Sequence, residues 1–163
     1  IEARGAACYR TENLTDQALA HLYGASDVLV HLSGGEGFGL PIVEAMACRL
    51  PVLVTSYSAM AELVPDSEME WCRVPVKALI PYPSNGIAWA WPDTDVAAER
   101  LVAFWKDKGL RVRLRKACFE KSRAFAWPRV LPWIEQWLAT AVQAKRSAGF
   151  KIGVERVRQD GGA

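Results

Sequence analysis

Ser33-Gly34-Gly35-Glu36-Gly37-Phe38-Gly39 holds four glycines in seven residues, too many for the interior of a helix or strand. Leu40 to Cys48 then reads as a helix, with Pro41 near its first position, where proline is tolerated. A helix N-terminus presents unpaired amides and about half a positive charge, which suits a phosphate. Gly37 and Gly39 lack side chains, so a diphosphate can approach the backbone closely. A tight strand-to-helix turn uses glycine for its own reasons, so the glycines alone leave a ligand loop and a plain turn both open.

The identity of a phosphate ligand is narrowed by what is missing. A nucleotide-triphosphate loop needs Gly-Lys-Ser/Thr after the glycines, and Leu40-Pro41 stands there. The dinucleotide fingerprint needs G-x-G-x-x-G; Gly35-Glu36-Gly37-Phe38-Gly39 has the wrong spacing, and no acid falls among Ser56 to Ala59, where the ribose ligand belongs. Two carboxylates remain, Glu36 in the loop and Glu44 one turn into the helix. A carboxylate accepts two hydrogen bonds and so suits a vicinal diol. One on each side of a diphosphate matches a sugar nucleotide: hexose hydroxyls, diphosphate, ribose hydroxyls. For Glu44 the helix dipole alone also favours an acid near the helix start.

The elements that must hold these groups alternate. Residues 15–24 read as a helix capped by Thr15, and Val28–Leu32 as a strand buried on both faces. Val52–Thr55 is a second buried strand, and Tyr57–Val64 a turn into a short helix. Prolines and Asn85-Gly86 make 66–93 mostly loop, with short strands near Cys72–Val74 and Ile87–Trp91; Trp89 and Trp91 can line a cleft there. A helix from Thr94 to Lys108 carries Val96, Leu101, Val102 and Trp105 inward and stops at Gly109. Helices over Leu110–Phe125 and from Pro128 to about Lys145 follow. Core packing is the first role for Trp127, Trp133 and Trp137, and an interdomain contact the alternative. Strands alternating with helices mean an α/β layer with a parallel sheet, whose ligands sit beyond the carboxyl ends of the strands. The Ser33–Gly39 loop occupies such a place.

A chain of 163 residues with 51% hydrophobic and 23% charged side chains can bury a core and is not disordered throughout. Its net charge of +2 conceals segregation: residues 1–99 sum to −8, 100–129 to +8 and 130–163 to +2. The basic stretch around Arg111, Arg113, Arg115 and Lys116 reads as a solvated helix face or as a weak dock on an anionic membrane; no nucleic-acid partner is expected. Cys8, Cys48, Cys72 and Cys118 lack metal or disulfide spacing and read as free thiols, and His21 and His31 form no metal motif. No secretory leader opens the sequence, and no run of 18 apolar residues spans a membrane. The first residue is Ile1, so a piece of a longer chain is expected.

Glu36-Gly37-Phe38-Gly39-Leu40-Pro41-Ile42-Val43-Glu44-Ala45-Met46-Ala47-Cys48 resembles the E-x7-E signature of retaining glycosyltransferases of the GT-B fold, above all family 4, the group 1 glycosyltransferases. Tyr23–Val30, Pro51–Thr55 with Ser58 and Glu62, Trp91-Pro92-Asp93 and Phe125-Ala126-Trp127 are similar to the family's flanking segments, so the likeness covers about residues 10–140. It implies that Glu36 is catalytic and binds hydroxyls of the transferred sugar, that Glu44 binds the ribose diol, and that amides around Phe38, Gly39 and Leu40 face the diphosphate, with Gly35 and Gly37 completing the donor loop. It implies no metal and no cofactor beyond the nucleotide-sugar donor. The sequence departs from the pattern at Arg49, where the family has glycine, and at Leu32, where it has proline. A basic pair on a G-R-x-x-x-x-K-G-like stretch has no counterpart before Glu36; Arg4 and Arg10 stand alone.

The resemblance therefore implies a Rossmann-like parallel sheet flanked by helices, the GT-B C-terminal domain shortened at its N-terminus, with a helical extension. The expected divisions are a partial nucleotide-sugar-binding domain over 1–126, a C-terminal helix over 127–146 and a disordered tail over 147–163. The expected function is hexose transfer to a glycan or lipid-linked acceptor, in the cytoplasm or at the inner face of a membrane. An N-terminal acceptor domain is expected elsewhere, and this stretch alone is expected to be inactive. The alternatives are a non-catalytic nucleotide-sugar-binding or assembly module, and a sugar-nucleotide epimerase, against which the EGFGLP block argues.

Overall fold

A computed structural model describes residues 13–64, 69–81 and 88–147. The chain divides into two compact units, Ile1–Arg123 and Ala124–Ala163.

In the first unit, α1 (Asp16–Ala25) begins where the Thr15 side chain accepts from the Ala18 amide. It leads to β1 (Leu29–His31), α2 (Leu40–Ala47), β2 (Val52–Thr55) and α3 (Ser58–Leu63). A 3-10 turn over Glu70–Cys72 precedes β3 (Arg73–Val74), and β4 (Val76–Pro81) and β5 (Ala88–Pro92) lead to α4 (Thr94–Lys106) and α5 (Lys108–Ser122). The strands β1, β2 and β3 form a parallel sheet in that order, with Val30 opposite Leu53 and Val54 opposite Arg73. This is the Rossmann-like layer that the alternation of elements implies.

The sheet is not equally buried. All four residues of the central strand β2 are fully buried, as an apolar run with β-branched residues should be. For β1 the expectation of burial on both faces is wrong. It lies at the sheet's edge among the described residues, and Val30 is 45% exposed. An apolar run of this length does not distinguish a central strand from an edge.

The reading of 66–93 as mostly loop also needs correction. β4 and β5 pair antiparallel, from Val76 opposite Pro92 to Pro81 opposite Ala88. Pro81 and Pro92 sit at strand ends, where a missing amide costs no ladder bond. Pro83 and Asn85-Gly86 lie outside the described residues.

Helix α4 is capped by Asp93, whose carboxylate accepts from the Asp95 and Val96 amides. Ala97 and Phe104 are its buried residues, while Val102 and Trp105 point outward, Trp105 at 75% exposure. The inward stripe follows Ala97, Leu101 and Phe104; Val102 and Trp105 each lie one residue, about 100°, further round. The helix stops at Asp107 rather than Gly109, which lies inside α5. Asp107 leaves the helical conformation and accepts from the Leu110 amide, ending one helix and capping the next.

The core cluster joins Leu53, Val74 and Ala97 to Val28, Leu32, Trp71 and Leu101. Trp71 stacks on Phe104 with centroids 5.0 Å apart. The Arg100 guanidinium donates to the carbonyls of Glu70, Trp71 and Arg73, which satisfies the turn that enters β3. Arg111 donates likewise to Phe104 and Trp105, the last turn of α4. Arg115 faces Asp27 at 3.8 Å and Arg113 faces Asp107 at 3.9 Å. Several cations of the +8 stretch are thus occupied with carbonyls or carboxylates of the fold. Cys72 and Cys118 are buried free thiols, and Cys48 is a half-buried one.

The second unit contains α6 (Trp127–Ser147), with Pro132 in its interior. Trp127, Trp133 and Trp137 are each more than 60% exposed, so the expectation that they pack in a core fails. Trp133 and Trp137, at i, i+4, share one face of the helix, and a shared face does not by itself mean a buried one. Residues 148–163 lie outside the described residues, together with most of the expected tail. Among the described residues no helix is long and apolar enough to cross a membrane.

Candidate active site

The loop between β1 and α2 stands at the carboxyl end of β1, and Tyr57 and Ser58 stand at the carboxyl end of β2. Parallel pairing brings the two segments together. The Glu36 amide donates to Ser58 Oγ at 3.0 Å, and the Ser58 hydroxyl donates to the Glu36 carbonyl at 2.9 Å. Ser58 performs this from φ 49, in the left-handed region that serine seldom occupies. The hairpin adds two further ties. The Ala90 amide donates to the Gly34 carbonyl at 2.9 Å, and the Tyr57 hydroxyl donates to the Ala88 carbonyl at 3.0 Å. A Cβ on Gly34 would meet the Ala90 carbonyl oxygen at 3.3 Å, which explains that glycine.

The Glu36 side chain is held separately. Its Oε1 lies 2.9 Å from His31 Nε2, and both side chains are about one-quarter exposed (29% and 23%). The hydrogen bonds from His31 and then Ser33 hold the Glu36 carboxyl below its ordinary pKa. The carboxylate is therefore ionised and oriented, ready to accept hydroxyl protons.

The glycines differ from one another. Gly39 is buried at φ 90 and caps α2. A Cβ there would meet Ile42 Cδ1 at 3.0 Å and Leu63 Cδ1 at 3.2 Å, so the packing of α2 on α3 adds to the preference for glycine that the positive φ already sets. Gly37 and Gly35 are exposed; a Cβ on Gly37 would meet nothing within 4 Å. Phe38 and Leu40 are exposed at 47% and 61%. Inside α2, Pro41 lacks an amide and the Ile42 amide bonds the Gly39 carbonyl, so the residues ahead of Pro41 are those that can meet an anion.

Glu44 lies on the exposed side of α2, whose inward face is Ile42, Ala45 and Met46. The Tyr23 hydroxyl donates to Glu44 Oε2 at 3.3 Å. Burial, and then the charge of Glu44, push the Tyr23 phenol above its ordinary pKa. The expected site residues thus share one loop-helix segment. His31, Ser58, Tyr57 and Tyr23 hold it in place, and the sequence reading assigned none of them to the site. Period-two alternation along β1 puts His31 and Leu29 on one face. No pattern within the sequence says that Glu36 turns back to meet His31.

Comparison with known proteins decides the family. A model of the glycosyl transferases group 1 matches residues 5–121. The chain belongs to this family. Among curated proteins it is similar to the serotype-specific mannosyltransferase WbdA of Escherichia coli, 40% identical over 55 residues, covering 34% of this chain and 7% of that protein. It is also similar to O-antigen chain mannosyltransferase B of Escherichia coli, 44% identical over 52 residues, covering 32% of this chain and 14% of that protein. A longer match, 31% identical over 109 residues, is to a D-inositol 3-phosphate glycosyltransferase of Kribbella flavida, covering 67% of this chain and 22% of that protein. The chain therefore spans only a minor part of the length of these group 1 relatives.

Proposed function

We propose that this chain forms the donor-binding part of a retaining, metal-independent glycosyltransferase that moves a hexose from a nucleotide-sugar to a glycan or lipid-linked acceptor. The observation that carries the reading is the clamped loop. Glu36 is fixed through its backbone by Ser58 and through its carboxylate by His31, four residues before the start of α2 and eight before Glu44. In this reading Glu36 accepts hydroxyl protons of the transferred sugar and Glu44 those of the ribose. The amides around Phe38, Gly39 and Leu40, between Gly35-Gly37 and the helix, meet the leaving diphosphate. Preorganised donors stabilise the charge that grows on the leaving group without reorganising during the reaction. Departure of the diphosphate and attack from the same face retain the anomeric configuration. Transfer itself belongs to the full-length protein. A mannosyl nucleotide is the first donor to test, because two of the relatives are mannosyltransferases.

Calorimetry of the full-length protein with free nucleotides and their UDP-, GDP- and ADP-sugars tests the reading. Glu44→Ala should weaken free nucleotide and nucleotide-sugar alike, by about 1–3 kcal/mol. Glu36→Ala should spare the free nucleotide and weaken the nucleotide-sugar. Equal effects of Glu36→Ala on both ligands, or no effect of either substitution, would overturn it.

A further inference from the structure

We propose that His31 is a positioning residue for Glu36, setting the direction in which its carboxylate meets sugar hydroxyls. The proposal rests on the donor-binding reading above and adds a residue to it. His31 is the last residue of β1, and its register opposite Val54 fixes where the imidazole stands. An ionised carboxylate only accepts hydrogen bonds, so at 2.9 Å His31 Nε2 must carry the proton. Nδ1 then needs none, and the neutral imidazole suffices for the contact. A carboxylate has about four acceptor positions, so His31 at Oε1 aims the group without filling it.

The neighbours of the pair make His31 the controlling group. The groups acting on the Glu36 carboxyl are His31 first and the Ser33 hydroxyl second. On the packed elements, Arg73 of β3 gives its guanidinium to Ser56 Oγ, and Glu44 of α2 accepts from Tyr23. Glu62 of α3 is exposed to solvent, and Asp27, before β1, faces Arg115. Ser58 holds only the Glu36 backbone. Removing the imidazole thus leaves the loop anchored but frees the side chain. Glu36 should then rotate and protonate at higher pH. The sign follows from the direction of the shift. A carboxyl held below its ordinary range stays charged to lower pH, and without its donor it loses charge sooner as pH falls.

The test uses His31→Leu, which keeps an apolar β1, and His31→Gln, which keeps a donor amide on a side chain of similar reach. The titration of the Glu36 carboxyl carbon is followed by NMR with 13C-labelled glutamate. Its midpoint should rise in His31→Leu and return toward wild type in His31→Gln. In the full-length protein, His31→Leu should weaken nucleotide-sugar about tenfold while leaving free nucleotide within about twofold. The acid limb of the nucleotide-sugar affinity should move to higher pH. An unchanged Glu36 titration in His31→Leu would overturn the proposal, as would equal losses for both ligands, which mark a merely structural role. Failure of the donor-binding reading looks different: Glu36→Ala would then leave nucleotide-sugar affinity intact while the NMR titration still responded to His31.

Discussion

The two ends of α2 adopt the same unusual backbone with different residues. Gly39 enters the helix at φ 90, and Arg49 leaves it at φ 60. At the exit, the Leu50 amide bonds the Ala45 carbonyl and the Arg49 amide bonds the Met46 carbonyl, the paired pattern that closes a helix through a left-handed residue. Glycine would fill that position with less strain. Arginine is tolerated because the turn is exposed and its guanidinium lies over the Phe119 ring, 4.6 Å from the centroid. At the entrance the exchange costs more, because a Cβ would also press on the ends of the Ile42 and Leu63 side chains, at 3.0 and 3.2 Å. Left-handed backbone alone does not dictate glycine; left-handed backbone in a crowded space favours it more strongly. The entrance is also the end that carries Glu36.

Gly39→Ala should therefore have the largest effect. The backbone cost of an L-residue there is about 1–2 kcal/mol, and displacing Ile42 and Leu63 adds about 1 kcal/mol. Urea unfolding should show a loss of about 2–3 kcal/mol, with nucleotide-sugar binding falling in parallel because the turn re-aims Glu36. A stability within about 0.5 kcal/mol of wild type would mean that space does not separate the two ends.

Ser58 is a third left-handed residue, and it tests whether strain there serves the site. Ser58→Ala keeps the conformation and deletes both hydrogen bonds to the Glu36 backbone. Those bonds are solvent-exposed, so the stability loss should be about 0.5–1.5 kcal/mol. Nucleotide-sugar affinity should fall while free-nucleotide affinity holds. If Ser58→Ala stabilises the protein and leaves both affinities unchanged, the strain at Ser58 has no link to the loop.

The sequence made the parallel layer legible because its signals are local. β2 is a short apolar run rich in β-branched residues, α2 has Pro41 at its start, and Thr15 and Asp93 cap their helices with their own side chains. What escaped depends on contacts between distant residues. The edge position of β1 depends on what lies beside it. The hairpin was masked by prolines that end its strands rather than interrupt them. Gly109 invited a helix stop, yet Asp107, two residues earlier, had already made the break by capping the next helix. In the loop, Glu36 and Glu44 stand out by type and spacing. Their holders, His31, Ser58 and Tyr23, arrive from other elements, and although Tyr23 and Ser58 lie in family-like flanking segments, nothing local in the sequence ties any of the three to Glu36 or Glu44.

Arg49→Gly should have the smallest effect, and its interest lies in its sign. Glycine relieves about 1–2 kcal/mol of left-handed strain. It also forfeits the contact with Phe119, worth about 0.5–1 kcal/mol at an exposed site, and adds chain entropy to the unfolded state. The terms nearly cancel, so the unfolding free energy should stay within about 0.5 kcal/mol of wild type. Arg49→Ala separates them: alanine keeps the strain and loses the contact, so it should be the less stable of the two by about 1 kcal/mol. If alanine proved the more stable of the two, the exit turn would be storing no strain, and the contrast with Gly39 would reduce to packing alone.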